Sequence, residues 1–374
     1  MRRFLDRLLV AAFVIVISVP LAANLSGRDG GDAEAENRTL APFPVLDRSL
    51  ASIRALGPGL DAWFSDHFGF RSDLIRWYGE SRYFGFGVSP SPMVIRGENG
   101  WLYYEEDGGI EDYANEPLLD AEALHAWHET VVRARDWCKA RGIAYVFVIA
   151  PDKHKIYPEH YNPDIHPVTA VSRTDQVLEA LADTGVAVDV RPAMMAAKDD
   201  DRLFHLTDTH WNDRGAFVAY QQIIEAVRKQ RPAVPPAHDR SMFNATSRIV
   251  EGRDLAATIG LKRVLHEEDL RLLPKAGRGY KVLVPAGGYA TGGDPMVVTE
   301  IPGSTLPKAV VFRDSFTSAL APFLSEHFSR AVYLWQNDFD ASDVEKEHPD
   351  IVIQEIVGRH LYVFYPTPWL VPDP

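Results

Sequence analysis

Two short stretches hold residues that could perform covalent chemistry together. The first is VVFRDSFTSALAPFLSEHF, Val310 to Phe328, which opens as a buried strand and closes as a helix, with Asp314 and Ser315 between them. A serine hydroxyl is a weak nucleophile and needs a base, normally an imidazole held by a carboxylate. Where a strand gives way to a helix, the first helical N–H groups are unpaired and the positive end of the helix dipole stands behind them. An oxygen that turns negative during acyl transfer would be stabilised there. Read alone, this segment asks for no more than a serine that caps a helix.

The second stretch is HLTDTHWNDRGAFVAY. Asn212 and Asp213 suit the cap of a helix starting near Arg214, which leaves Asp208-Thr209-His210 in an extended loop. Residues two apart on an extended chain point the same way, so Asp208 can hold one imidazole nitrogen of His210 and leave the other as a base. This would complete a Ser-His-Asp set of Ser315, His210 and Asp208. The same residues also fit a solvated capping loop, or part of a metal site. No second well-spaced His/Asp/Glu cluster accompanies them, so no metal is expected.

Strand–helix alternation supplies the frame for these residues. A helix over Ala121–Arg141 leads into the apolar strand IAYVFVIA, and a helix near Thr174–Thr184 leads into GVAVDVRPAM. After the DTHWNDRGAF segment come KAVVFRDSF, RAVYLWQND and PDIVIQEIV. The pattern predicts an α/β sandwich around a mostly parallel sheet. Residues 232–307, rich in Gly, Pro and short β-like pieces, read as a β-rich insertion. VIRGENGWLYY reads as a hairpin.

In such sheets the working residues gather beyond the carboxyl ends of the strands. Asp152, Lys153 and His154 follow the first strand; they could line a cleft, with Lys153 meeting a sugar carboxylate, or form a salt-bridged turn. Gln336 and Asn337 follow a later strand and could donate to an oxyanion or make a structural turn. Arg313 flanks the serine and could tune it or pair locally. Trp211, beside the base, could stack on a sugar or pack in the core. His67, in FSDHFGFR, reads as a packed structural histidine.

The chain has 374 residues, 46% of them apolar, enough for a large core, and a net charge of −13. That charge argues against a nucleic-acid partner and makes any anionic polymer depend on a local basic groove. One cysteine, Cys138, excludes an internal disulfide and reads as a small packed residue. The N-terminus carries Arg2, Arg3 and Arg7 and then an apolar run from Leu8 to Ala23. This is the charge order of an export signal, and Leu21 stands where a cleavage site wants a small residue, so residues 1–25 read as an uncleaved anchor, with a cleaved signal as the alternative. Residues 26–45 read as a tether and 46–374 as one exported domain.

Several stretches, in order, carry a family likeness: WFSDHFGFRSDLI, GENGWLYY, VIAPDKHKIYPE, DTHWNDRGAF, EGRDLAATIGL and FRDSFTSALAPFLSEHFSRAVYLW. Over roughly Leu46 to Tyr365 the chain resembles the AlgX/AlgJ-type alginate O-acetyltransferases, whose catalytic domain is an SGNH-hydrolase-like α/β fold. The resemblance implies that Ser315 matches the family nucleophile and that Asp208 and His210 match its Asp-x-His pair. The C-terminal carbohydrate-binding module that some members carry is not expected in this protein. With the N-terminal anchor, this makes the membrane-tethered, AlgJ-like members the closer comparison.

The expected activity is therefore periplasmic transfer of an acetyl group, through a seryl ester, to hydroxyls of alginate or a similar exopolysaccharide. No cofactor is expected. Acetyl-coenzyme A is absent outside the cytoplasm, and the resemblance implies a membrane-bound O-acyltransferase as acetyl supplier, beside other polysaccharide biosynthesis and secretion proteins. Two alternatives stay open: a carbohydrate esterase using the same residues with water as acceptor, and a non-catalytic component of a secretion complex.

Overall fold

The computed structural model describes residues 2–26, 39–47, 49–284, 296–368 and 371, so most of the expected tether and residues 285–295 of the expected insertion lie outside the described residues. The chain divides into two compact units, one of residues 1–92 with 251–265, the other of residues 93–250 with 266–374. The stretch expected as one exported domain from residue 46 onward is thus shared between them.

The first unit is helical. Helix α1 (Arg2–Leu25) is long and apolar enough to cross a membrane. Helix α2 (Leu50–His67) starts on Ser49, whose side chain accepts the N–H of Ser52, and α3 (Arg71–Glu80) follows after Phe70, which adopts a positive φ of 62°. His67 stays within its own helix: its Nδ1 lies 2.9 Å from the Trp63 carbonyl and its ring stacks on Trp63.

The second unit is an α/β sandwich. Strands β1 (Val94–Arg96) and β2 (Leu102–Tyr104) form the expected antiparallel hairpin. The main sheet uses β3 (Ala144–Ala150) and β4 (Ala187–Asp189), while β5 (Phe243–Glu251) and β6 (His266–Pro274) pair separately. Strands β7 (Lys281–Val284), β8 (Val297–Glu300), β9 (Lys308–Arg313), β10 (Arg330–Trp335) and β11 (Ile351–Val357) complete the sheet in the order β4-β3-β11-β9-β10-β8-β7. The first five strands of that order are parallel, and β8 and β7 add antiparallel at one edge.

Both sheet faces are covered, which is why the central strands read as unbroken apolar runs. Val146, Val148, Val311 and Ile353 face a core shared with Phe217 and Ile223 of the helix Asp213–Gln230. Their neighbours Phe147, Ile149, Val310, Phe312 and Val352 face the opposite core with Trp127, Val131 and Trp137 of the helix Ala121–Ala140. Cys138 is buried in that second core, where desolvation pushes its thiol up to about 12. Because β9 and β11 lie inside the sheet, the chain that leaves their carboxyl ends emerges at the middle of one edge of the sandwich.

Candidate active site

Strand β9 ends at Arg313, and the helix Thr317–Leu324 begins after three intervening residues. Asp314 fastens this turn to the neighbouring strand. One carboxylate oxygen accepts the N–H of Phe316 at 2.8 Å and the other accepts the N–H of Val357, at the end of β11, also at 2.8 Å. From below, Oε2 of the fully buried Glu355 accepts the Asp314 N–H at 3.3 Å and the Thr317 hydroxyl at 2.8 Å. Burial raises the Glu355 carboxyl well above its usual range, and the adjacent Asp314 charge pushes the same way. Ser315 sits half-buried on top of this turn. It is not the helix cap: Phe316 holds that position and has no side-chain capping bond.

The Asp-x-His loop is a closed hairpin between Phe204 and Trp211, which pair as an isolated bridge. Asp208 Oδ1 accepts the backbone N–H of His210 at 3.0 Å and lies 2.7 Å from His210 Nδ1, leaving Nε2 as the nitrogen that Asp208 does not engage. Burial alone would raise the Asp208 carboxyl, but the His210 charge and hydrogen bond, with His205 behind them, hold it well below the usual carboxylate range. Glu267 of β6 braces the loop by accepting the N–H of Thr207 at 2.8 Å and by facing His205 Nδ1 at 3.0 Å. Asn212 then caps the helix Asp213–Gln230, accepting the N–H groups of Arg214 and Gly215.

The loop and the turn meet at Phe316. The indole N–H of Trp211 donates to the Phe316 carbonyl at 2.9 Å, and the two rings stand edge-on at 5.1 Å. The His210 ring lies 5.0 Å from the Phe316 ring. The residue following Ser315 therefore touches both the imidazole and its neighbour. Trp211 is 1% exposed and serves as a core anchor that joins the two halves, leaving no face for a sugar.

Other residues singled out in the sequence have structural partners. Lys153, which by sequence could line a cleft or form a salt-bridged turn, is 3% exposed. Its ammonium donates to the carbonyls of His205, Leu206 and Asp208 at 3.0, 3.1 and 2.6 Å, so it holds the Asp208–His210 loop from behind. His154 pairs in the interior with Asp112 at 2.8 Å, beside Lys155. Asp152 accepts the backbone N–H of Arg359 at 2.9 Å and its guanidinium at 2.5 Å. Asp112, Asp152 and His154 come within metal-ligating reach of one another. Lys155 and Arg359 already neutralise the two carboxylates, which disfavours a cation there.

Arg313 donates to the Asp314 carbonyl at 3.2 Å and to Ser318 Oγ at 2.9 Å while its guanidinium lies over Trp335. Gln336 and Asn337 form the turn after β10. Gln336 donates to the Asp338 carbonyl at 3.3 Å, and the Asn337 carbonyl accepts from Gln354 at 2.6 Å.

The sequence reading missed Arg359 and His360. They follow β11, whose carboxyl end lies beside that of β9, so the strand pattern itself was the signal. The Arg359 guanidinium lies 5.8 Å from the Phe316 ring centre. His360 Nε2 lies 3.4 Å from Asp107 and its Nδ1 3.9 Å from Asp314, with burial and then Arg359 pulling its pKa down. A cation and a second imidazole thus stand next to the serine turn.

Comparison with known proteins agrees with this architecture. Residues 94–271 match the family model described as ALGX: SGNH hydrolase-like domain, acetyltransferase AlgX. The chain is 30% identical over 208 residues to the probable alginate O-acetylase AlgJ of Pseudomonas syringae pv. tomato, covering 55% of this chain and 50% of that protein. To the probable alginate O-acetylase AlgJ of Pseudomonas fluorescens it is 30% identical over 144 residues, 38% of this chain and 35% of that one. The matched region spans half or less of the length of these relatives. A solved structure of Bacillus cereus PatB1 with a sulfonyl adduct shares the fold, with a TM-score of 0.54 at 15% identity over 71% of this chain and 94% of that chain. Residues 94–271 are thus similar to the SGNH hydrolase-like domain of AlgX, in a chain similar over part of its length to the AlgJ proteins.

Proposed function

We propose that this protein is an extracytoplasmic polysaccharide O-acetyltransferase in which Ser315 is the nucleophile, His210 the base and Asp208 the group that orients it. The observation that carries the reading is the Asp208–His210 pair at 2.7 Å, joined through Trp211 and Phe316 to the turn that bears Ser315. Nε2 of His210 takes the Ser315 proton as Oγ bonds to the acetyl carbonyl carbon, and returns it to the leaving group as that bond breaks. A sugar hydroxyl then gives its proton to the same nitrogen and attacks the acetyl-serine. The ester bond to Oγ breaks, and Oγ recovers the proton. Negative charge on the acetyl oxygen develops near the start of the helix Thr317–Leu324, whose dipole favours it.

Helix α1 is read as an anchor that keeps the protein at the inner membrane, facing the periplasm. The donor is an acetyl group carried across that membrane by a membrane-bound O-acyltransferase, and the acceptor is alginate or a related exopolysaccharide. Tethering raises the effective concentration of the enzyme near such a supplier.

The test is product analysis with an activated acetyl ester and an alginate oligosaccharide, together with mass spectrometry of the trapped enzyme. Acetylated sugar and an acetyl adduct on Ser315 support the reading. Free acetate alone makes the protein an esterase. An unlabelled Ser315 in the folded protein, with undiminished polymer acetylation by Ser315→Ala in cells, overturns any enzymatic reading.

A further inference from the structure

The motif WFSDHFGFRSDLIRWY takes no part in the chemistry above. In the structure it forms the elbow between α2 and α3, and Gly69 sits at that elbow against the end of α1. A Cβ on Gly69 would lie 2.3 Å from the Pro20 carbonyl oxygen, 2.8 Å from the Ala23 methyl and 2.9 Å from Asn24 Oδ1. Only hydrogen fits there, so the elbow backbone packs directly on the last turn of α1. Most side chains around this contact are apolar, though Ser65 and Arg71 also stand among them. Phe64, Phe68, Leu74 and Ile75 help line an open hollow of about 390 Å³, and Phe64, Leu74, Trp77 and Tyr78 are 43–56% exposed. Phe64 meets Phe68, the residue that ends α2, edge-on at 5.8 Å, and Leu74 and Tyr78 are one helical turn apart on α3, so apolar groups stand on each side of the elbow.

The depth of the elbow follows from counting along α1. Charges stand at Arg2, Arg3, Asp6 and Arg7, and none occurs from Leu8 to Leu25. A hydrocarbon core about 30 Å thick takes about 20 residues at ~1.5 Å each. Counted from Leu8, the first residue past the charges, the uncharged run to Leu25 spans about 27 Å, so Ala23, where Gly69 touches the helix, lies within one turn of the far headgroup boundary. This level is the boundary at which Trp and Tyr concentrate, since their rings are apolar and their N–H and O–H groups stay wet.

We propose that the α2–α3 elbow is a membrane-interface surface, which sinks Phe64, Phe68, Leu74 and Trp77 into the phospholipid headgroup boundary on the side away from the cytoplasm. The proposal rests on the reading that α1 stays in the membrane. It gives the first unit two attachments, a spanning helix and an interfacial elbow, so that this unit cannot swing freely about the end of α1.

The test uses the full chain in vesicles of phosphatidylethanolamine and phosphatidylglycerol. An environment-sensitive dye is placed at Ser65→Cys, or in a second variant at Leu74→Cys. The thiol of Cys138, buried and raised to about 12, does not compete for label. Lipids brominated near the headgroup end of the acyl chain should quench both labels and their emission should shift to the blue, as for a label at Val16→Cys in α1. A label at the exposed Val168→Cys should be unaffected. Quenching at Val16→Cys without quenching at the elbow overturns the proposal and leaves the anchor standing. No quenching at either overturns the anchor and the elbow together. Protection of the elbow labels only after a second membrane protein is added assigns the surface to that protein and overturns the lipid proposal.

Discussion

Trp211 and Phe316 lie 105 residues apart and are joined twice, by an indole N–H to carbonyl bond of 2.9 Å and by an edge-on ring contact at 5.1 Å. One residue before Phe316 is Ser315, and one before Trp211 is His210. The Trp211–Phe316 contact thus ties together the segments that carry Ser315 and His210 while involving neither of them.

Trp211→Phe keeps an aromatic ring and removes the N–H donor. The Phe316 carbonyl then loses a buried partner, at a cost of about 1–3 kcal/mol in stability. In the proposed mechanism kcat falls about tenfold or more while KM is little changed, because displacement of the base by a fraction of an ångström disturbs the transition state more than binding. Steady-state kinetics with an activated acetyl ester, alongside thermal unfolding, checks both parts. A variant that loses stability but keeps kcat would show the contact to be structural alone.

Asp208→Asn keeps the side-chain shape and removes the charge that orients His210. The expected loss in kcat is on the order of 10³–10⁴, with the fold retained. Circular dichroism and acyl-enzyme formation rates make the comparison. An active Asp208→Asn enzyme would remove Asp208 from the proposed set.

Lys153→Met leaves the carbonyls of His205, Leu206 and Asp208 without the ammonium they share. Unfolding in urea should show a loss of about 3 kcal/mol or more. Lys153→Arg should not restore it, since a planar guanidinium cannot point three donors into that pocket. Full stability in either variant would contradict the role as brace of the Asp208–His210 loop.

Glu355 makes stability depend on pH in a defined direction. Its carboxyl is raised in the folded protein above the ordinary 4.5, by burial first and by Asp314 second. The folded state thus keeps a proton that the unfolded state releases. The group's contribution is full below about pH 4.5 and is lost progressively as pH rises toward the folded pKa. Glu355→Gln is neutral at every pH, so its melting temperature relative to the parent should climb as pH increases above 4.5. A difference independent of pH would mean that Glu355 titrates normally. Glu355→Leu should be unstable throughout, because the Asp314 N–H and the Thr317 hydroxyl lose their acceptor.

What the sequence by itself determined is local or periodic. The alternation of apolar strands with helices, the hairpin around Gly100, the cap at Asn212 and the Asp208–His210 pair all depend on residues a few positions apart. Their geometry follows from backbone periodicity and from the reach of one side chain. What only the tertiary structure decided spans long loops. Lys153 looks like a cleft cation until its three carbonyls, more than fifty residues away, are in place. Asp152 meets Arg359 across 207 positions, and Glu355 reads as an oddity in an apolar strand until the serine turn rests on it. No period in the chain encodes such pairings, because they arise when strands distant in sequence become neighbours in the sheet and their loops are brought to one edge.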